Sequence, residues 1–469
     1  MKRHLLPLLL IPSLGSAGDV PSSPPSSVEP GPVWFSEEGP FDFSIEGSVQ
    51  GAWNSHAFWG LAQTFSPASG YPTQHRWLES YVKPGFTFES DPIHSLTWFG
   101  GAAVVGSGTA GIDVFEAGDV ATILPEQAYL GFRFEDPESG MGFELSGGQQ
   151  PYAIGNQFLI AVGAGNGFER GSVTLFPFRS WEMAALAKLS WNDWSLEGFL
   201  LDPNELESGN SHNQLAGLNL KWEPAEGQNL GFAYVRVLES EYPYPVAPIG
   251  LVPNGRDGLE AYDAYWKWAP VEGPLAGFSL LGEIVVERNE RVGLESWGGG
   301  LEAGYRWSNA PFAPRLSYSP RYFSGDDPNT LGTNERFDPL YYMASPDTWS
   351  SGGNGSLALL NSNIVAQRLR LELALTERDF LNLNYWYLEA AETFSPLQFG
   401  QGARPVTAGG SPFVVSGVPD DELAHELYLE YVRMVNPNVY LTIGVAGSFP
   451  GEGLRRVTKT GSHDWWGGL

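Results

Sequence analysis

A chain of 469 residues with a formal net charge of -28 and no cysteine excludes several classes of protein at once. The acidity argues against nucleic-acid partners, whose phosphates require clustered Lys and Arg, and the missing thiols remove disulfides, thiolate metal sites and cysteine nucleophiles. Only 17% of residues are charged while 13% are aromatic and 58 are glycine, a balance unlike that of an ordinary soluble enzyme.

The first residues, "MKRHLLPLLLIPSLGSAG", join a basic start at Lys2 and Arg3 to a short apolar stretch and the small residues Gly15, Ser16 and Ala17. This is the pattern of a secretory signal over residues 1–17, cut after Ala17. The Pro/Ser-rich run at 18–34 predicts a linker without a packed core. No later stretch approaches the ~20 consecutive apolar residues of a spanning helix, so residues 35–469 must fold by another pattern.

That pattern has period two, with turn residues every 8 to 12 positions or so. "AYLGFRF" (128–134), "MGFELSG" (141–147), "LAGLNLKW" (215–222), "RLRLELAL" (368–375) and "YLTIGVAG" (440–447) each alternate apolar with polar or small residues. Short turns such as "EDPESG" (135–140), "NDW" (192–194) and "VNPN" (435–438) alternate with longer connections at 54–74, 108–123, 149–180, 204–213, 239–259, 288–297, 324–364 and 392–420. Turns on one rim and loops on the other predict an all-β transmembrane antiparallel barrel with short periplasmic turns and long extracellular loops. About 17 complete strands fit between 41 and 449, and the even-number rule for single-chain bacterial barrels predicts an eighteenth near "HDWWGGL", incomplete at the C-terminus. "GSVTLFPF" (171–178) would break this parity as a wall strand, so it is placed inside a long loop. A propeller, sandwich or β-helix is the alternative, but no ~40 to 50-residue repeat supports a propeller. Trp98, Trp181, Trp191, Trp194, Trp222, Trp266, Trp268, Trp307 and Trp386 fall near strand ends, as membrane-interface girdles require.

With one face of each strand in lipid, the other is free to carry charge. "LEAGYRW" (301–307) turns Glu302, Gly304 and Arg306 inward, and the next strand turns in Arg315, Ser317, Ser319 and Arg321. "RLRLELAL" gives Leu369, Leu371, Leu373 and Leu375 to lipid and Arg368, Arg370 and Glu372 to the lumen. Asn382, Asn384 and Trp386 follow, then Glu426 and Glu430; across the barrel Gln127, Tyr129, Arg133, Glu144 and Ser146 face inward. Five arginines on three successive strands would form a stripe of planar donor forks suited to carboxylates. Alternatively they pair with Glu302, Glu372, Glu426 and Glu430 and brace a wet lumen.

Other chemistry finds little support. "GAGNG" (163–167) lacks the Lys-Ser/Thr pair and helix of a phosphate loop, and the seven histidines show no metal spacing. No nucleophile motif accompanies a Ser-His-acid site. Asp326 and Asp327 fit a solvated acidic turn better than a Ca²⁺ site.

The stretch "LEAGYRWSNAPFAPRLSYSPRYFSGDDPNTLGTNERFDPLYY" (301–342) resembles the alginate export family of outer-membrane porins. "HELYLEYVRMVNPNVYLTIGVAGSFPGEGLRR" (425–456) is similar to that family's penultimate hairpin and F-P-G loop, and "YLGFRFEDPESGMGFELSGGQQPYAIG" (129–155) matches more weakly. The resemblance implies a monomeric, 18-stranded, outer-membrane channel without catalysis or cofactor, passing anionic polysaccharide or small acidic solutes, with periplasmic export components as further partners. Its pore assignment maps onto Arg315 and Arg321. Where family members often read G-R-Q, this chain has Gly147, Gly148 and Gln149. A general or sugar porin of the same architecture, a membrane-embedded hydrolase and an adhesin acting through the loops are the alternatives.

Overall fold

The structure is a computed structural model that describes residues 9–12, 33–34, 40–61, 70–115, 118–136, 138–246, 250–330, 332–342, 359–395, 406–408, 411–413, 417–458 and 466–468. Eighteen antiparallel strands form a closed barrel. In chain order they are β1 (Phe41–Ser55), β2 (Gln74–Glu89), β3 (Leu96–Ile112), β4 (Gly118–Asp136), β5 (Met141–Gln150) and β6 (Trp181–Trp191). Then come β7 (Trp194–Asp202), β8 (Gln214–Ala225), β9 (Gln228–Glu239), β10 (Glu260–Trp268), β11 (Phe278–Asn289) and β12 (Leu294–Arg306). The last six are β13 (Arg315–Phe323), β14 (Ile364–Ala374), β15 (Asp379–Glu389), β16 (Glu422–Asn436), β17 (Val439–Pro450) and β18 (Trp466–Gly468). Each strand pairs with its sequence neighbour, and β18 closes the ring by pairing Gly467 and Gly468 with Ser55 and Asn54 of β1. The backbone of Leu9–Pro12, within the expected leader, pairs with both β17 and β1. Most of the expected linker and Leu469 lie outside the described residues.

The two-residue period decides which face meets lipid. Leu301, Leu316, Tyr318, Leu369, Leu383, Leu427 and Leu429 are exposed on the outside, while Glu302, Ser317, Ser319, Arg368, Arg370 and Glu372, at alternate positions, are buried inside. Such a wall satisfies every backbone group by pairing, the condition for spanning hydrocarbon.

The connections depart from expectation in two places. The stretch 108–123 is a tight hairpin, with β3 running to Ile112 and β4 starting at Gly118; "SGTAGI" and "GDVATI" continue the alternation with small residues that resemble loop composition. Likewise 288–297 shrinks to a connection at 290–293. Two of the expected girdle tryptophans, Trp181 and Trp386, are fully buried within the barrel. Trp181 packs edge-on against Tyr341, 5.2 Å between rings, because its parity points it at an inward-folded loop.

The hydrophobic core therefore lies inside the barrel, where Phe158, Ile160, Trp181, Phe323, Phe337 and Trp386 join one cluster. Residues 151–180, including 171–178, connect β5 to β6 as an irregular segment. Ala161 and Val162 donate backbone N–H to the Tyr341 carbonyl at 2.9 and 3.1 Å, and Tyr341 N–H returns to Leu159 at 3.0 Å. The loop after β13 is thereby bound to the loop after β5.

Candidate functional site

The hydrogen-bond register of β12 to β16 lays the inward side chains side by side. Arg306 faces Arg315, which faces Glu372, then Asn382 and Glu430. Two residues further along the strands, Ser317, Arg370 and Asn384 are aligned, and beyond them Ser319, Arg368, Trp386 and Glu426. Arg321 lies between Gly300 and Ala366.

Like charges directly opposite, as at Arg306 and Arg315, are unfavourable unless a counter-charge is supplied. Here two glutamates supply it. Arg315 donates Nη2 to Glu302 Oε1 at 2.6 Å and Nη1 to Glu372 Oε2 at 2.7 Å. Glu302 Oε2 also accepts from Arg368 Nη2 at 2.5 Å and Ser319 at 2.8 Å. Glu372 lies 3.2 Å from Arg370 and 4.0 Å from Arg306. These two glutamates thus pair with Arg306, Arg315, Arg368 and Arg370. Yet β12, β13 and β14 turn five arginines inward against these two carboxylates, with Glu283 of β11 next to Gly300 on one side and Glu426 and Glu430 of β16 on the other.

Two glycines make room for the forks. A Cβ on Gly304 would stand 2.9 Å from Arg315 Nη2, and one on Gly300 would stand 2.8 Å from Arg321 Cγ and 3.1 Å from the Phe158 ring. Arg321 sits 4.7 Å from the Phe158 centroid and Arg368 5.1 Å from that of Trp386, both within cation–π range. The expected acidic partners on β16 lie further round the wall: Glu430 accepts from Asn382 at 2.9 Å and Tyr428 at 3.1 Å, and Glu426 is buried opposite Trp386.

Arg133 does not join this stripe. It stands on β4, nine strands from β13 and so on the far side, hydrogen-bonded to Glu144 at 2.9 Å and 3.8 Å from Glu89. Gln127 and Tyr129 share that wall, whereas Gln149 points outward and donates to the Pro125 carbonyl at 3.1 Å.

Sequence reasoning missed the carboxylates that hold the inner loop. Glu283 on β11 accepts the backbone N–H groups of Asn156 and Phe158, the latter at 3.0 Å. Glu79 on β2 accepts those of Thr174 and Leu175 at 3.0 and 3.1 Å. Glu126 on β4 accepts those of Arg179 and Ser180 at 2.8 and 3.1 Å. Glu126 is the extra residue of a bulge, since the register passes from Val104–Pro125 to Ala103–Gln127. Glu287 similarly accepts Asp338 N–H at 2.8 Å, and Asp338 receives a two-pronged contact from Arg256 with both distances 2.8 Å. Strand parity turns Glu79, Glu283 and Glu287 inward, a bulge turns Glu126 in, and nothing in the sequence marked backbone amides as their partners.

A closed 18-stranded barrel with a lipid-facing exterior, charged inner wall and inward-folded loop is an outer-membrane channel. The sequence matches the Alginate export family model over residues 117–467, roughly three quarters of the chain, and this chain belongs to that family. The arginine wall lies within the matched region; β1 to β3 precede it. No curated protein matches the sequence. Among solved structures it is similar to Salmonella typhi OmpF in complex with daunomycin (14% identity, 89% of this chain and 100% of that one, TM-score 0.43). It is also similar to Pseudomonas aeruginosa OprD (8% identity, 99% and 91% covered, TM-score 0.45) and OccK5 (8% identity, 92% and 97% covered, TM-score 0.47).

Proposed function

We propose that the channel passes carboxylate-bearing solutes, either anionic polysaccharide or small organic acids, along the wall formed by Arg306, Arg315, Arg321, Arg368 and Arg370. The observation that carries this reading is the excess of guanidinium over carboxylate on β12 to β14, where two glutamates stand among five arginines. A guanidinium binds carboxylate with a planar fork of donors, and successive forks let a carboxylate move from one to the next. Passage is passive, by a monomer without catalysis or cofactor, after export directed by residues 1–17. The inner loop at 151–180 narrows the path beside this wall, since its Phe158 ring lies 4.7 Å from the Arg321 guanidinium.

A general or sugar porin of the same architecture is the second reading. It is favoured by paired charges elsewhere in the lumen, such as Lys83 with Glu46 and Lys188 with Glu197, each at 3.5 Å. Planar-bilayer reversal potentials in a KCl gradient separate the two. The first requires anion preference that falls when Arg315, Arg321 and Arg370 are together replaced by Glu; cation selectivity in the unaltered protein, or a preference untouched by that replacement, rules it out.

A further inference from the structure

The lipid-facing wall carries a polar interruption. Leucine is the commonest outward residue on β13 to β16, yet on two successive rows toward the loop rim Tyr318, Gln367, Leu369, Tyr385, Tyr387 and His425 surround a shallow groove of about 450 Å³. Gln367 accepts from the Tyr318 hydroxyl at 2.9 Å, and Tyr385 Oη lies 2.7 Å from His425 Nδ1. The His425 ring stacks on Tyr387, 4.9 Å and 28° apart, and its Nε2 lies 3.1 Å from Glu422. Pairing among themselves and with Glu389 and Glu422 offsets part of their desolvation, but an amide, an imidazole and three phenols keep further hydrogen-bonding capacity that bare hydrocarbon cannot meet.

The surroundings identify what does. Toward the loop rim, the next outward row holds Val365, Glu389 and Glu422. Toward the turn rim, the row beyond Leu369 and Tyr385 is Leu316, Leu371, Leu383 and Leu429, four leucines in register. The wall is therefore polar and aromatic above, then aliphatic below, the profile of a lipid lying along it with its head at the outer rim. Charge selects the head: no Arg or Lys lines the groove, and Glu389 and Glu422 border it, so a phosphate would meet repulsion. Carboxylate, amide and imidazole groups suit hydroxyl donors, and flat tyrosine and histidine faces suit the C–H faces of a sugar ring.

We infer that this groove binds the sugar head of an outer-leaflet glycolipid, whose acyl chains run down the leucine row. The test is native mass spectrometry of the full barrel in a polyoxyethylene detergent, which carries no sugar. The probes are a monoglucosyl diacylglycerol and a phosphatidylglycerol with the same acyl chains. The expected result is a retained glucolipid adduct that Tyr387→Ala and His425→Ala each weaken roughly tenfold, with phosphatidylglycerol retained no better by the unaltered protein than by the variants. Gln367→Leu, which keeps the volume and removes the amide, gives the same reading should an alanine variant fail to fold; unaltered single-channel conductance confirms an intact lumen. Equal retention of both lipids, variants that bind glucolipid as well as the unaltered protein, or a dimer abolished by the same substitutions would each overturn the assignment.

Discussion

Arg315 on β13 is clamped between two carboxylates from the strands on either side, 2.6 Å from Glu302 of β12 and 2.7 Å from Glu372 of β14. All three side chains are largely buried, so their charges are screened less than surface pairs would be. Glu302→Gln strands Arg315 and Arg368 with one carboxylate fewer, and breaking a buried pair of this kind costs about 3–5 kcal/mol. The variant is expected to unfold at lower urea concentration and, once inserted in a bilayer, to shift the reversal potential toward anions. An unchanged midpoint would show the clamp to be energetically idle.

The inner loop is tied down by acids accepting its own amides, so cutting the ties tests whether the loop sets pore width. Replacing Glu283 and Glu79 by Ala leaves four backbone N–H groups of 151–180 without their acceptors, at about 1–3 kcal/mol for each left buried and unpaired. Single-channel recording is expected to show a larger conductance with added flicker. Traces indistinguishable from the unaltered channel would mean that the narrowest point lies elsewhere.

Much of this molecule was legible beforehand because a barrel wall is a local code. Leu369, Leu371 and Arg368, Arg370 separate by parity alone, and hydrocarbon enforces that parity at every strand. The even strand number predicted an eighteenth strand near "HDWWGGL", and β18 at Trp466–Gly468 falls there, with three paired residues among those described. The lumen's filling was not legible. Glu283 reads as one more inward acid, and its partners are the amides of Asn156 and Phe158, groups that every residue except proline possesses. Trp181 misled for the same reason, since an indole at a strand end fits a girdle or a buried loop contact equally. The hairpin of β3 and β4 was hidden by Gly, Ser and Thr, which serve a strand and a loop alike. Glu126 was shifted by a bulge that no pattern of period two reveals.

The parity itself can be tested by one exchange on adjacent residues of β15. Leu383 is exposed to lipid, whereas Asn384 beside it is buried in the lumen. An arginine on the lipid face near the middle of the wall costs about 2–4 kcal/mol, while one facing a polar lumen escapes the transfer to hydrocarbon. Leu383→Arg is therefore expected to lower the unfolding midpoint in vesicles far more than Asn384→Arg, and only the latter to change ion selectivity. The reverse order would turn β15 over.

The last expectation concerns pH and the loop between β13 and β14, outside the membrane wall. Asp326 accepts the Glu335 backbone N–H at 3.0 Å, and its own N–H donates to Ser395 at 2.8 Å, joining this loop to the one after β15. Burial pushes the Asp326 carboxyl above its ordinary range, and Asp327 and Glu335 add like charge. Glu392 is raised for the same reasons, burial first and then Asp327 and Glu335. An acid whose folded value is raised binds its proton more tightly when the loops are docked. Its contribution is fully present below the unfolded value near ~4 and is lost as pH rises through the raised one. The docked loops are thus expected to resist limited proteolysis better at pH ~5 than at pH ~8, and Asp326→Asn, which keeps the acceptor for Glu335, to flatten that difference. Cleavage that slows as pH rises would reverse the sign and remove these two carboxyls as its source.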